Sequence, residues 1–133
     1  MENFGVKSIE HNKPTLNSMG HEFNLLDEAG NKIGYARLEY TSHPKPIYVL
    51  KWIGVEASNQ KEGNGREMLE NINEFLAEKK IPGCLSSVNK AKGFYEKLGW
   101  TKYKSTNIYF FGPLSEEEKD RIVVEMHFRL KFT

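Results

Sequence analysis

The stretch of sequence from Val49 to Leu76 reads V-L-K-W-I-G-V-E-A-S-N-Q-K-E-G-N-G-R-E-M-L-E-N-I-N-E-F-L. It joins an apolar strand to an amphipathic helix through a loop that carries two glycines. The first N–H groups of a helix have no partner inside the helix and carry a partial positive charge, so they can hold a phosphate. Gly63 and Gly65 leave no side chain in the way of such a ligand. The stretch therefore predicts an anion-binding site where the helix begins.

The glycine spacing excludes the two commonest phosphate loops. A dinucleotide-binding loop needs G-x-G-x-x-G, and its last glycine is replaced here by Met68. No G-x-x-x-x-G-K-[ST] string occurs anywhere in the chain. Residues 60–65 do match Q-x-x-G-x-G, and in this they resemble the pyrophosphate loop of the GNAT superfamily of acetyl-CoA-dependent N-acetyltransferases.

A second segment strengthens the resemblance. Residues 89–100 read N-K-A-K-G-F-Y-E-K-L-G-W, which is similar to the N-x-x-A-x-x-F/Y-Y-x-x-x-G-F segment of the same family. The match is one residue shorter between Asn89 and Tyr95 than the family pattern. The two motifs together span roughly residues 47–103, so the resemblance covers the middle of the chain.

The resemblance implies a fold and a cosubstrate. GNAT domains are α+β folds with a mixed, mostly antiparallel sheet flanked by helices, and a splayed central strand pair forms the CoA cleft. Acetyl-CoA is the implied cosubstrate, and its pantetheine arm would lie against the backbone of the central strand. The implied cofactor-binding residues are Ile53, Gly54, Val55, Gln60, Lys61, Glu62, Gly63, Asn64, Gly65, Arg66, Asn89 and Tyr95.

Three of these residues also have a simpler interpretation. Gly54 inside a strand indicates a bulge or a close backbone approach, or only a packing glycine. Asn89 precedes a helix and would also serve as its N-cap. Tyr95 lies on an apolar helical face and would by default pack in the core, whereas the resemblance aims its hydroxyl at the thioester sulfur.

Acetyl transfer to an amine makes three chemical demands. The amine is mostly protonated at neutral pH and must lose a proton before it attacks. The tetrahedral oxyanion needs N–H donors, for which the backbone near Val55 is the candidate. The departing thiolate needs an acid, and the resemblance assigns that role to Tyr95.

The carboxylate of some family members is missing here. Where they carry a glutamate, this chain has Val49 and Cys84. The substitute candidates for the base are Glu39, Glu56 and His43. Each of the three is also typical of a solvated surface group. Cys84 is either an acyl-accepting nucleophile or a small buried hydrophobe.

Composition limits the class of protein. The 133 residues have a net charge of +1 and a single cysteine. We therefore expect one domain over residues 1–133, with no disulfide and no metal site. The balanced charge argues against nucleic acid or membrane as the main partner. Because we find no membrane-length apolar run and no secretory signal, we expect a soluble, cytoplasmic protein.

The hydrophobic pattern predicts most of the elements. Residues 23–27 and 33–40 are predicted strands of a hairpin, and residues 47–55 a central strand. A predicted helix over about residues 63–80 buries one stripe, made of Met68, Leu69, Ile72, Phe75 and Leu76. Its water-facing side is predicted to carry Glu67, Glu70, Asn73, Glu74 and Glu78.

The second half of the chain has a weaker pattern. Residues 84–88 are predicted as a short strand, followed by a short helix that stops at Gly99. Residues 115–118 form a capping box for one short helical turn. Residues 122–132 alternate between apolar and polar side chains, which predicts a strand with one buried face.

Three functions remain open from the sequence. The first is an N-acetyltransferase acting on a primary amine of a small molecule or protein, and the second is a non-catalytic acyl-CoA-binding or sensing module. The third is acetylation of charged tRNA, which the lysines between residues 90 and 104 favour only weakly. Residues 1–22 are too short for the two helices that shape the family's acceptor pocket. That pocket is therefore either open or completed by a second subunit in a homodimer.

Overall fold

Seven strands and three helices lie within residues 8–16, 20–55, 63–87 and 93–126, which the computed structural model describes. In chain order they are β1 (Ser8–Asn12), β2 (Gly20–Leu26), β3 (Lys32–Thr41), β4 (Ile47–Val55), α1 (Asn64–Lys79), β5 (Gly83–Ser86), α2 (Phe94–Lys97), β6 (Thr101–Lys102), β7 (Ile108–Phe111) and α3 (Glu116–Glu125). None of the helices in these ranges is long and apolar enough to cross a membrane.

All seven strands form one sheet in the order β1-β2-β3-β4-β5-β7-β6. Only β4 and β5 are parallel, and every other neighbouring pair is antiparallel. This confirms the α+β prediction of a mixed, mostly antiparallel sheet. The predicted hairpin is β2 and β3, whose turn is held by the Asp27 carboxylate, which accepts the N–H groups of Ala29 and Asn31.

Helices cover the two faces of the sheet, which we name the α1 face and the α3 face. Side chains alternate between the faces along β4, since Tyr48 and Leu50 join the cluster under α1 while Ile47 and Val49 join the cluster under α3. The α3 cluster also contains Cys84, Ile108, Phe110, Ile122 and Val123. β4 is therefore buried from both sides along its first half, as expected of a central strand.

The predicted stripe of α1 is confirmed. Met68, Leu69 and Ile72 are each 0% exposed and lie in the core cluster. Asn73 was predicted to face water, and that prediction is wrong. Its amide donates to the Leu98 carbonyl at 2.8 Å and accepts the Trp100 indole N–H at 2.8 Å. A polar helix position can face a neighbouring segment as well as solvent, and the helical period does not distinguish the two.

The predicted C-terminal strand is wrong over residues 122–126, which belong to α3 and its C-cap. The capping box is present, with the Ser115 hydroxyl accepting the Glu118 N–H and the Glu118 carboxylate accepting the Ser115 N–H. It starts a helix that runs to Glu125 rather than the single turn expected. Ile122 and Val123 are consecutive and both buried in one cluster, which a helix allows and an alternating strand does not. Residues 127–133 lie outside the described part of the chain.

Candidate functional site

The strands β4 and β5 separate halfway along β4. Their parallel pairing covers Tyr48 to Leu50 on β4 and Gly83 to Leu85 on β5. β4 then continues to Val55, paired only with β3 on its other side. The splayed central strand pair expected from the sequence is therefore present in this register.

A β-bulge lies at the point of separation. Arg37 pairs with Trp52 and Leu38 pairs with Leu50, so Lys51 has no partner on β3. The extra residue shifts the alternation of β4 by one position. As a result Ile53 packs against the α1 cluster and Trp52 lies on the α3 face.

Gly54 is not the bulged residue, which is one of the interpretations that the sequence left open. It pairs with Tyr35 across the β3–β4 ladder. A Cβ atom at Gly54 would lie 3.3 Å from Nε1 of Trp52. Gly54 therefore makes room for the Trp52 indole on the α3 face.

The separation leaves a cleft of about 300 Å³ between the two strands. Its lining residues are Leu50, Lys51, Trp52, Ile53, Leu85, Ser86, Ser87 and Tyr95. Two residues expected from the sequence at the cofactor, Ile53 and Tyr95, thus share this cleft. Gly54 and Val55 lie beside it, in a neighbouring depression.

Tyr95 is the buried polar side chain of the cleft, with 7% of its surface exposed. Its ring contacts Phe94, Trp100 and Tyr109. Burial, and then the nearby Tyr109, raise the pKa of the Tyr95 phenol. The hydroxyl is therefore a proton donor at neutral pH, and it has no hydrogen-bond partner within the described residues.

The position of Tyr95 depends on α1. The short helix α2 ends in a turn in which the N–H groups of Leu98 and Trp100 both donate to the Tyr95 carbonyl. Asn73 of α1 binds both Leu98 and Trp100 through its amide. Asn73 is a positioning residue that the sequence does not reveal, because a single asparagine in a helix carries no signal of its partner.

The start of α1 lies against the second motif. Gly63 precedes the helix with φ 73°, a left-handed conformation that favours glycine. A Cβ at Gly65 would lie 3.6 Å from the Phe94 ring, next to Tyr95. Asn64 is fully buried and Arg66 is exposed, where its guanidinium binds Glu70 at 3.1 Å. Four further expected cofactor residues, Gln60, Lys61, Glu62 and Asn89, lie outside the described residues.

The described candidates for the base do not line the cleft. Glu39 pairs with Val49 on the α3 face and accepts Nε of Arg37 at 2.7 Å. His43 is mostly exposed, 3.5 Å from the Glu125 carboxylate of α3. Glu56 lies outside the described residues. No carboxylate among the described residues lines the cleft.

Cys84 is 0% exposed beneath α3. Burial raises the pKa of its thiol to about 12, so the sulfur is protonated at neutral pH. A buried, protonated thiol is a poor nucleophile. The geometry favours the interpretation of Cys84 as a small core hydrophobe.

Comparison with known proteins agrees with this geometry. A family model described as "Acetyltransferase (GNAT) domain" matches residues 20–102. The match runs from the first residue of β2 to the last residue of β6 and so contains the whole cleft. None of the curated proteins matches the sequence significantly.

Solved structures share the fold. An acetyltransferase of the GNAT family from Staphylococcus aureus Mu50 has a TM-score of 0.61 at 19% identity, over 72% of this chain and 69% of that one. A bacterial toxin has a TM-score of 0.69 at 15% identity, over 95% of this chain and 98% of that one. AtaTR bound with acetyl-CoA has a TM-score of 0.60 at 20% identity, over 71% of this chain and 68% of that one. At these identities the similarity concerns the fold alone.

Proposed function

This chain belongs to the GNAT family of acetyltransferases, and from that premise we propose that it transfers the acetyl group of acetyl-CoA to a primary amine. The transfer is direct, within a ternary complex of protein, acetyl-CoA and acceptor. The observation that carries the proposal is the separation of β4 from β5 beside the buried, protonated Tyr95. A reacting group placed there would face the Tyr95 hydroxyl as a proton donor.

Acetyl-CoA binding in this proposal uses both motifs. The pyrophosphate lies at the start of α1, against the loop of residues 60–65 and Arg66. The pantetheine arm lies along β4 at Ile53 to Val55, where β5 no longer pairs, and extends toward Tyr95. The family resemblance adds Asn89 to its contacts. Support comes from AtaTR, a structural neighbour that holds acetyl-CoA.

The reaction forms one bond and breaks one. The neutral amine nitrogen attacks the thioester carbon, and the oxyanion that develops is stabilised by backbone N–H groups near Val55. The C–S bond then breaks, the thiolate takes a proton from the Tyr95 hydroxyl, and the amine releases its extra proton to solvent, from which the Tyr95 phenolate recovers one. The products are the N-acetylated amine and CoA.

Proton release from the amine needs no single carboxylate in this proposal. Val49 and Cys84 are apolar neighbours beneath α3 and cannot accept a proton from the cleft at neutral pH. Lys51 lies in the cleft, and its positive charge favours the neutral form of a nearby amine. A water chain then suffices to carry the proton away.

A second candidate is a non-catalytic acyl-CoA-binding module. The observation in its favour is that no carboxylate among the described residues lines the cleft. A turnover assay separates the two candidates, because only the enzyme releases free thiol from acetyl-CoA when an amine is added. Cytoplasmic location and a homodimer that completes the acceptor pocket belong to the same proposal.

The test of the proposed site is ligand-induced stabilisation. At about a hundred times its dissociation constant, acetyl-CoA should stabilise the fold by roughly 2.7 kcal/mol, which a thermal shift would detect. Gly63→Val should remove that shift, because a branched side chain at φ 73° distorts the start of α1. The parent protein showing no shift with acetyl-CoA or CoA would end the proposal.

The matched control is Gly30→Val. Gly30 has φ 86° and, like Gly63, nothing within 4 Å of an added Cβ. The two variants therefore carry a similar backbone strain, but Gly30 lies in the β2–β3 turn. Gly30→Val should lower the melting temperature and keep the acetyl-CoA shift, which assigns the loss in Gly63→Val to the ligand site.

A further inference from the structure

Trp52 is exposed although it lies on the central strand. Its side chain is 61% exposed, whereas Ile47 to Leu50 on the same strand are at most 7% exposed. The bulge at Lys51 causes this, because without the extra residue Trp52 would share a face with Tyr48 and Leu50. The fold therefore places a large aromatic ring on the α3 face at the edge of the cleft.

A second concave site adjoins Trp52. A depression of about 330 Å³ lies on the α3 face, lined mainly by Lys32, Tyr35, Trp52, Gly54 and Val55. Trp52 is the residue that lines both this depression and the cleft. Tyr95 and Ile53 reach the cleft from the α1 side, so a ligand in the depression would approach the cleft from the opposite face.

The walls of the depression are held in place. The Trp52 indole packs over Gly54, where any side chain would meet it. The Tyr35 hydroxyl donates to the Glu22 carboxylate at 3.3 Å, and Glu22 is also bound by Arg37 at 3.0 Å. Two aromatic side chains that line one depression suit a flat group better than a bulky one.

Charge decides what kind of flat group fits. Aromatic rings bind either planar rings or cations. Here the Lys32 ammonium lies 4.6 Å from the centre of the Tyr35 ring, and Lys51 lies beside Trp52 in the cleft. Two carboxylates of the described residues on this face, Glu22 and Glu39, are bound to Arg37. A cationic group of a ligand would be repelled by the ammonium groups of Lys32 and Lys51, so an uncharged ring is favoured.

We propose that the depression between Tyr35 and Trp52 holds a planar, uncharged ring carried by the acceptor amine, an inference that rests on the proposed acetyl transfer. The spacing agrees with a short linker. Trp52 lies just past Leu50, the last residue of β4 that pairs with β5, so the ring site adjoins the opening of the cleft. A ring held there and an amine nitrogen in the cleft need a linker of only a few atoms. The substrate class is therefore an arylalkyl primary amine.

The kinetic test uses 2-phenylethylamine with acetyl-CoA, scored by free thiol release. Two comparison amines share its length, namely 2-cyclohexylethylamine with a non-planar ring and cadaverine with a second cation. We expect Trp52→Ala to raise the KM for 2-phenylethylamine by about tenfold with little change in kcat, and Trp52→Phe to restore most of it. Tyr40→Ala is the control, since Tyr40 is a 48% exposed aromatic on the α1 face.

A binding test needs no turnover. The chain has two tryptophans, of which Trp52 is exposed and Trp100 is 2% exposed. The fluorescence difference between the parent and Trp52→Phe isolates Trp52. Addition of 2-phenylethylamine should shift this emission to shorter wavelength and saturate, because the ring covers the indole, whereas cadaverine should not.

The outcomes separate this inference from the proposed function. Suppose that acetyl-CoA gives a thermal shift. Equal use of all three amines, or an unchanged KM for 2-phenylethylamine in Trp52→Ala, would then overturn the ring site and leave the proposed function standing. A Trp52 emission that does not respond to 2-phenylethylamine, with or without CoA, would also overturn it. Absence of an acetyl-CoA shift with a saturable Trp52 response would retain the ring site and reject the proposed function.

Discussion

The two halves of β4 differ in almost every respect. Tyr48 to Leu50 pair with β3 on one side and β5 on the other, and both faces of this half, from Ile47 on, are covered by helices. Trp52 to Val55 pair with β3 alone, and all are partly or fully exposed. A single bulged residue separates the halves. The first half stabilises the sheet, and the second half borders the cleft and the depression.

The comparison shows how one strand can hold both a core and a site. A site needs unpaired backbone and accessible side chains, and both conditions reduce stability. Here the unpaired backbone and the accessible side chains are confined to one end of a strand whose other end is buried, which limits the loss of stability. The bulge also changes the face to which each side chain points, so an aromatic residue becomes available to a ligand.

The strongest test of the difference between the two halves of β4 is to truncate one side chain in each half. Ile47→Ala should lower the free energy of unfolding by about 3 kcal/mol, because the side chain is 0% exposed and its removal leaves a cavity. Trp52→Ala removes a larger side chain but should cost less than about 1 kcal/mol, since it is mostly solvated. Denaturant unfolding measures both, and Val124→Ala on α3, 69% exposed, is the neutral control. Equal losses at Ile47 and Trp52 would contradict the division of β4.

Tyr95→Phe tests the cleft beside the second half. A phenol transfers its proton to a thiolate at a cost of about 2 kcal/mol for an unperturbed pair, but a hydrogen bond during C–S cleavage is still favourable. We expect turnover to fall at least about tenfold, roughly 1.4 kcal/mol of barrier, with little change in acetyl-CoA affinity. The ring packing is kept, so stability should hold.

The control for the hydroxyl is Tyr109→Phe. Tyr109 contacts Tyr95 in the same aromatic cluster, but it does not line the cleft. Its substitution should leave turnover near that of the parent. If Tyr95→Phe and Tyr109→Phe both retain full turnover, Tyr95 is a core residue and nothing more.

Lowering the pH should destabilise the packed first half of β4 and leave the cleft unchanged. His11 Nε2 and His21 Nδ1 are 2.8 Å apart on the α1 face, and the His21 ring contacts Tyr48 of β4. Burial, then His11 and two lysines, lower the pKa of His21 from 6.5 to about 4. Burial, then Lys13 and Lys79, lower that of His11.

The sign of the effect follows from proton uptake. Between pH 6.5 and about 4 the unfolded chain binds more protons than the folded one, so stability is full above pH 6.5 and falls as the pH drops through this window. We expect a loss of about 1 kcal/mol once solvent screening is allowed for. Urea unfolding at pH 7.5 and 5 measures it. His21→Gln should flatten the dependence, whereas His43→Gln, at an exposed site, should not.

The smallest expected effect concerns the missing base. Glu39→Gln and Glu56→Gln should each lower kcat at neutral pH by less than about tenfold, because in the proposed mechanism the amine proton goes to solvent rather than to one carboxylate. Steady-state kinetics with saturating acetyl-CoA measures this. Loss of nearly all activity in either variant, with acetyl-CoA binding intact, would show that the cleft has a dedicated base after all.

Local pattern predicted the parts of this fold that depend on local rules. The ends of β4, the stripe of α1 and the capping box at Ser115 follow from period, propensity and side-chain capping within a few residues. The strand expected over residues 122–132 was wrong at residues 122–126, because alternating polarity there does not outweigh a helix already started at its cap. β1, β6 and β7 were not predicted, since short strands carry little periodic signal.

The sequence by itself determined the family, through two motifs that match the GNAT pattern, and it determined the fold class through the order of its elements. Only the tertiary structure decided which side chains contact one another and which line the cleft. The register between β3 and β4 placed the bulge at Lys51, turned Trp52 outward and opened the cleft next to Tyr95. The contacts of Asn73 with Leu98 and Trp100 likewise join residues far apart in sequence. Periodicity describes one element at a time, whereas register and packing are set between elements, by which pairs of surfaces bury the most apolar area.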